Sequence, residues 1–447
     1  MLVNFSVENF RSFKNAATLS LESNPAIKEH EENIVSTTVD NIKPLHRVLA
    51  MYGVNGAGKS NIFQAILVMR SFVLNSHLNS SDDLIDQDPF LLDTKSSSTP
   101  STFKIKFLLD GIKYDYEYSF QPERVVFEKL IAYPNQIRQI WFERKYSIKK
   151  KDYIWKFGPN FKGEKDSIRN RTLENTLFFS KAAQENHELI KPLRTFFLKH
   201  LYISQGNESA EHTLHLLQTP EGKEAVVQFL KDAKLGIDDL VLEPKELPED
   251  DLFEFIPDDL KEKIKSLPSM KFTTKSLHRI PNTDDFVSFD FNLQESVGSQ
   301  KIFKLAGIIL RTIKHGGVLF IDEIENNLHL SLIDFIINIF LNPEINKNKA
   351  QLIFSTHNPT ILEESKIRRD QLWFVIKDEQ KSSVLYNLSR ISKVDSFPET
   401  FKSIRKSQNL LKGYLDGKFY HHKKPDIEVT RQTIQKINQS KQIEFKF

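Results

Sequence analysis

The chain has 447 residues, with 62 Lys and Arg against 59 Asp and Glu, only 15 glycines and no cysteine. That length fits two or three structural units, or one large domain with insertions. A composition 39% hydrophobic and 27% charged is that of a globular chain rather than a disordered one, and the lack of cysteine excludes a disulfide framework, a Cys-based zinc or iron–sulfur site and a thiol nucleophile.

The longest apolar stretches, 305–310 and 332–341, fall short of the roughly 20 residues of a bilayer span, and the second carries Asp334. Residues 1–10 include Glu8 and no long apolar run, unlike a secretory signal. A cytoplasmic chain with no membrane partnership is the expectation. The net charge of +3 sums unequal parts: residues 366–447 hold 18 basic and nine acidic side chains, while the rest holds 44 and 50. Such a basic end suits the phosphates of a nucleic acid, and equally a plain solvated surface.

In chain order, residues 2–7 and 17–21 read as strands, and the apolar run 48–51 stops short of Gly53. Behind it, 61–74 places Ile62, Ala65, Ile66, Met69 and Val73 on one face at a period of 3.6, so strand, glycine turn and helix make one βα unit. Residues 80–100, rich in Ser, Asp, Thr and Pro, predict a loop. Stretches 102–109 and 112–120 then flank Asp110-Gly111, the dipeptide of a type I′ hairpin. Stretches 125–130, 139–144 and 153–157 extend it into an antiparallel sheet. Residues 172–200 and 220–235 read as helical, and 286–293 alternates as a strand does. A second α/β stretch follows: helix 301–313, a Gly316-Gly317 turn, strand 318–321, helix 330–340, and strands 351–354 and 372–376.

Gly53-Val54-Asn55-Gly56-Ala57-Gly58-Lys59-Ser60 matches GxxxxGK[ST] in full. Glycines let backbone N–H groups point inward around a β-phosphate, and the helix N-terminus adds the positive end of its dipole. Lys59 supplies a cation for the β- and γ-phosphates, and the Ser60 hydroxyl a ligand for Mg²⁺. A nucleotide is thus the expected ligand, with Asn55, Gly56, Ala57, Gly58, Lys59, Ser60 and Asn61 around it.

The strand Val318-Leu319-Phe320-Ile321 ends in Asp322-Glu323. Asp322 suits Mg²⁺, and Glu323, one step on, suits polarising a water against the γ-phosphate. Many strands end in an acid at a solvated edge, so the pair takes its meaning from the glycine loop. His357, in Ser355-Thr356-His357-Asn358-Pro359, is placed to reach the γ-phosphate or orient the water, or else is a hydrogen-bonded loop histidine. Glu295-Ser296-Val297-Gly298-Ser299-Gln300-Lys301 opens a helix with Ser296 or Ser299 as N-cap. Its glycine, hydroxyls and helix N-terminus also make a second anion site.

The order of glycine loop, Ser-x-Gly turn, Asp-Glu strand and histidine loop resembles an ABC-type ATPase head, as in SMC, RecF and OLD proteins. The resemblance implies that Ser296 and Gly298 belong to a signature motif that binds the γ-phosphate of ATP held by a partner subunit. It also implies that Arg11, in Asn9-Phe10-Arg11-Ser12-Phe13, approaches the nucleotide. With Leu328-His329, Leu352-Ile353-Phe354-Ser355-Thr356-His357, Asp370-Gln371-Leu372-Trp373-Phe374-Val375 and Tyr414-Leu415-Asp416-Gly417 as further landmarks, nearly the whole chain is similar to bacterial abortive-infection ATPases of the AbiL/Rlo type.

Departures from that pattern narrow the expectation. Ser-Val-Gly-Ser-Gln in place of Ser-Gly-Gly-Gln argues against a transporter subunit. Glu325-Asn326-Asn327 occupies the D-loop position without its usual Asp, and Gln87 and Gln205 are both candidates for the Q-loop glutamine. The stretch between Ser60 and Ser296 is too short for SMC arms. No Asp-x-Asp cluster occurs in 366–447, so a nuclease or toxin activity is expected on a separate chain.

The resemblance implies an α/β fold: an ABC-type P-loop NTPase head with an inserted antiparallel β and helical region. Residues 1–90 and 286–380 would form the head, 91–285 the insertion and 381–447 a basic C-terminal segment. The implied activity is Mg²⁺-dependent ATP hydrolysis in a homodimer or higher homo-oligomer with shared sites, acting as sensor or scaffold for a separate effector and triggered by a nucleic acid or phage component. Glu323 and His357 would be catalytic, and Ser60 and Asp322 would hold the metal. The alternatives are a RecF-like DNA-binding repair ATPase, with Lys418, Lys423 and Lys424 on phosphates, and a nucleotide-gated scaffold with negligible turnover.

Overall fold

The computed structural model describes residues 1–206, 209–245, 256, 258–361 and 367–389. The landmark Tyr414-Leu415-Asp416-Gly417 and Lys418, Lys423 and Lys424 lie outside the described residues, as does the basic segment from 390 onward.

The chain opens with β1 (Leu2–Glu8), β2 (Ala17–Ser20), the short pair β3 (Ile34–Val35) and β4 (Leu45–His46), then β5 (Val48–Tyr52) and helix α1 (Lys59–Asn75). An antiparallel run follows: β6 (Ser101–Leu109), β7 (Ile112–Gln121), β8 (Arg124–Ala132), β9 (Gln139–Ser147) and β10 (Asp152–Phe157). Between β6 and β7, Asp110 and Gly111 both take positive φ, 50° and 75°, as a type I′ turn requires.

The stretch 172–200 is not one helix. It divides into α3 (Phe178–Gln184) and α4 (Lys191–Thr195), after α2 (Lys165–Asn170). Asn186 lies between them in the left-handed region, φ 61°, and α4 opens on a Pro in its first turn, where the missing N–H costs nothing. Next come β11 (Leu201–Ser204), α5 (Glu211–Leu217), α6 (Pro220–Asp232), β12 (Asp239–Pro244), α7 (Asp258–Ser266), α8 (Pro268–Lys271), β13 (Phe272–Arg279) and β14 (Phe286–Asp290). The alternating stretch from Phe286 stops early as a strand, because the Asp290 carboxylate accepts from the N–H groups of Asn292 and Leu293 and starts α9 (Phe291–Gln294). The chain continues through α10 (Val297–His315), β15 (Val318–Ile321), α11 (Leu330–Leu341), β16 (Gln351–Thr356), β17 (Leu372–Lys377) and β18 (Ser383–Asn387).

Two large sheets organise these elements. The first is antiparallel, in the order β10-β9-β8-β7-β6-β1-β2. The second runs β11-β15-β16-β5-β17-β18, parallel except for β18. The strands between 101 and 157 therefore share a sheet with the N-terminal strands, and β11 forms one edge of the parallel sheet. A small third sheet, β12-β13-β14, stands beside α6, α8 and α9.

Period-2 alternation decides which core each residue of β5 enters. Leu49 and Met51 face the core that also holds Ile62, Ile66 and Met69 of α1 and Phe103, Phe107 and Tyr118 of the antiparallel sheet. Val48, Ala50 and Tyr52 face the opposite core, with Ile302, Leu305 and Ile309 of α10 and Ile333, Ile336 and Phe340 of α11. The parallel sheet is thus buried on both sides, as all-parallel strands demand. The architecture is mixed α/β, and among the described residues no helix is long and apolar enough to cross a membrane.

Candidate functional site

Strand register brings the charged loops to one edge. Ser204 pairs with Ile321, Ile321 with Phe354, and Thr356 with Tyr52. Because β11, β15, β16 and β5 all run parallel, the residues that follow them leave the same carboxyl edge: Gln205, Asp322, His357 and the loop from Gly53. The crevice outside such an edge is where ligands of open α/β sheets bind.

The glycine loop turns on two left-handed residues, Gly56 (φ 78°) and Gly58 (φ 110°). Gly58 is the N-cap of α1 and is tightly enclosed: a Cβ there would lie 2.3 Å from Ser383 Oγ and 2.6 Å from Ser12 Oγ. At Gly56 nothing lies within 4 Å of the same position, so that part of the loop faces open space. Lys59 is buried and donates from Nζ to the carbonyl of Gly53 at 2.7 Å. Burial pulls its pKa down, while the nearby carboxylates of Glu323, Glu325 and Asp322 push it up. Ser60 is exposed in the first turn of α1. Asn61 donates from Nδ2 to Ser12 Oγ at 2.7 Å.

Asp322 is nearly buried, and the Ser355 hydroxyl donates to its Oδ1. Ser355 Oγ also accepts from the backbone N of Glu323 at 2.7 Å, so one side chain on β16 holds both ends of the acidic pair. Glu323 itself takes φ 48°, an uncommon conformation for a non-glycine residue and a frequent mark of a functional position. Its carboxylate accepts from Asn326 Nδ2 at 2.7 Å. His357 is anchored by Glu325, whose Oε1 lies 2.6 Å from the His357 backbone N and 2.8 Å from ring Nδ1.

Ser296 caps α10, accepting from the N–H of Ser299 at 3.0 Å. The helix accordingly begins four residues earlier than its apolar period indicates. The turn packs on the loop after Glu323: a Cβ on Gly298 would lie 3.1 Å from the carbonyl of Asn327, and Lys301 donates to the carbonyl of Asn326 at 2.7 Å. No hydrogen bond or ion pair among the described residues joins Ser296 or Gly298 to the glycine loop of the same chain. Ser296 is exposed, between exposed Leu293 and Val297.

Arg11 pairs with Asp88, Nε to Oδ2 at 2.9 Å, in a cavity of about 590 Å³ that also touches Ser12, Asn61, Lys377 and Lys381. Of the two glutamine candidates, Gln205 follows β11 and donates to Gln64 Oε1 on α1 at 3.2 Å, whereas Gln87 donates to Thr99 and Ser101 at the rim of the Arg11 cavity.

The sequence reading singled out neither Ser12 and Ser383, which brace the glycine loop, nor Ser355 and Glu325, which hold the acidic pair and the histidine. Ser355 and Glu325 lay inside motifs already in view. Ser383 lies 326 residues from its partner Ala57, and no local pattern marks it.

No curated protein matches the chain. Among solved structures it is similar to the SMC head domain from Thermotoga maritima, with 13% sequence identity and a TM-score of 0.37 over 86% of this chain and 98% of that one. Residues 48–363 match the family described as "AAA domain, putative AbiEii toxin, Type IV TA system". That match runs from β5 through the glycine loop, the acidic pair and His357, well over half of the sequence, and the chain belongs to this AAA-domain family.

Proposed function

We propose that this chain is an ATP-binding and ATP-hydrolysing head of the ABC type, working as the nucleotide-dependent sensor or scaffold subunit of an anti-phage system that controls a separate effector. The observation that carries the reading is the shared carboxyl edge from which the glycine loop, Asp322-Glu323 and His357 all emerge.

The residues present fit a magnesium nucleotide. Gly56 leaves open space beside left-handed backbone, α1 offers the N-terminus of a 17-residue helix, and Lys59 stands behind the loop as a buried cation. Among the described residues no three acids or histidines are disposed to hold a metal alone. This suits Mg²⁺, which keeps waters and takes one or two protein ligands beside phosphate oxygens. Ser60 and Asp322 would hold it, and the ion would supply charge neutralisation at the phosphates. Asn55, Gly56, Ala57, Gly58 and Asn61 would line the phosphates, with Arg11 at the rim. Glu323 would draw a proton from the attacking water, and His357 would orient that water.

Exposure of Ser296 between Leu293 and Val297 supports a shared site: Ser296 and Gly298 would serve the nucleotide of a second copy. Differential affinity then drives the switch, ATP favouring the closed pair and hydrolysis removing that bias. The family's link to toxin–antitoxin systems supports an effector on another chain.

The test is Glu323→Gln. Hydrolysis should fall by about 10²-fold or more, the range for a lost general base, while ATP binding persists and a nucleotide-bound assembly of two copies accumulates in size-exclusion measurements. A variant that hydrolyses at the wild-type rate and traps nothing overturns the composite site.

A further inference from the structure

Glu325 lies two residues beyond the acidic pair, and its carboxylate is divided between two environments. Oε1 accepts from the backbone N of His357 at 2.6 Å and lies 2.8 Å from the ring Nδ1. Oε2 is buried and has no hydrogen-bond partner among the described residues. The Glu325 side chain is only 10% exposed, while the imidazole it touches is 50% exposed. One edge of the ring is therefore pinned while half of the side chain stays exposed.

A carboxylate oxygen can only accept, and two lone pairs 2.8 Å apart repel, so the proton of a neutral His357 ring sits on Nδ1. The other nitrogen, Nε2, is then an acceptor. A neutral ring in that form cannot donate to a phosphate oxygen, but it can accept from a water. We propose that Glu325 is a positioning residue that fixes His357 in the Nδ1–H form and so commits it to orienting the attacking water rather than binding the γ-phosphate. The proposal rests on the reading of this edge as an ATPase site.

A second observation separates this role from simple loop closure. Holding the 357 backbone needs one acceptor, which a neutral side chain would provide. The contact of the same oxygen with the ring Nδ1, at 2.8 Å, has no part in closing the loop.

The experiment has two arms, both on the full chain. In the first, nucleotide-free protein labelled with ¹⁵N-histidine is examined by long-range ¹H–¹⁵N NMR at a pH where the rings are neutral, and His357 is assigned among the 13 histidines by its loss in His357→Ala. The wild type should show the Nδ1–H form, Glu325→Ala should move toward Nε2–H, and Glu325→Gln, which retains an acceptor oxygen, should stay Nδ1–H. A wild-type ring in the Nε2–H form, or an unchanged Glu325→Ala ring, overturns the inference.

In the second arm, Glu325→Ala should lower kcat for ATP about 10- to 100-fold, the range for groups that orient a functional side chain. KM should move less than about threefold, and Glu325→Gln should recover most of the rate. A change confined to KM, or a Gln variant as slow as the Ala variant, assigns Glu325 a structural role only. If the wild type does not hydrolyse ATP, the site reading fails, and the NMR arm still decides whether Glu325 sets the histidine.

Discussion

Ser383 donates from Oγ to the carbonyl oxygen of Ala57 across 2.6 Å, joining β18 to the middle of the glycine loop. Ser12 Oγ lies 2.8 Å from the same hydroxyl and accepts from Asn61 Nδ2. A turn near the N-terminus and a hairpin near residue 380 thus clamp the loop from outside, with Gly58 pressed between them. The loop's conformation is held before any ligand arrives, which lowers the ordering cost of binding.

The clamp makes the two left-handed glycines unequal. Gly58→Ala adds a left-handed penalty of about 1–2 kcal/mol and drives a methyl into Ser383 and Ser12. It should destabilise the chain by more than that penalty and abolish the rise in melting temperature with ATP. Gly56→Ala bears the same backbone penalty but meets open space, so the loss should be about 1 kcal/mol, while its methyl enters the room assigned to the phosphates and should shrink the ATP-dependent shift. Melting curves with and without Mg-ATP distinguish the two, and equal losses would show that the clamp is unimportant.

Lys59 carries a stability cost that depends on pH. Its pKa in the folded chain lies below the ordinary 10.5, chiefly through burial. Between the folded value and 10.5 the unfolded chain holds the extra proton, so stability rises with pH across that window, and the full penalty applies below it. Lys59→Met removes the penalty. The ligand-free variant should melt no lower than wild type near neutral pH, the wild type should gain on it as pH rises toward 10.5, and the ATP-induced shift should vanish. A variant that loses stability at neutral pH would show that the bond to Gly53 outweighs burial.

Gln351 joins the two large sheets. Its Oε1 accepts from the backbone N of Leu2 at 2.6 Å, and its Nε2 donates to the carbonyls of Leu2 and His46 at 3.1 and 3.2 Å, all of them buried. Each buried polar group left unpaired costs about 1–3 kcal/mol, so Gln351→Leu should destabilise the chain by about 2–4 kcal/mol. The urea midpoint should fall with an unchanged slope, and the ATPase rate per folded molecule should hold. A neutral result would mean that the sheets adhere by apolar packing alone.

The elements legible in the sequence were those set by neighbours along the chain. Helix α1 follows from the spacing of Ile62, Ile66 and Met69, and the β6–β7 hairpin from Asp110-Gly111. The glycine loop and the Asp322-Glu323 strand end were read from contiguous residues. Ser296 is a candidate cap by residue type, yet apolar periodicity starts the helix only at 301, because a cap's hydrogen bond leaves no trace in that period. Strand β11 went unread, since four residues entering a sheet edge offer no period to detect.

By itself the sequence determined that a GxxxxGK[ST] loop, an acidic strand end and a histidine loop occur and in what order, because backbone propensity and motif spacing are local. Only the tertiary structure decided that Ser383 and Ser12 brace the loop, that Glu325 holds His357, and that the antiparallel strands share a sheet with the N-terminus. Those are long-range pairings. They arise when buried polar groups must find partners and apolar faces must find cover, and both requirements are met by whatever the fold brings near, however distant along the chain.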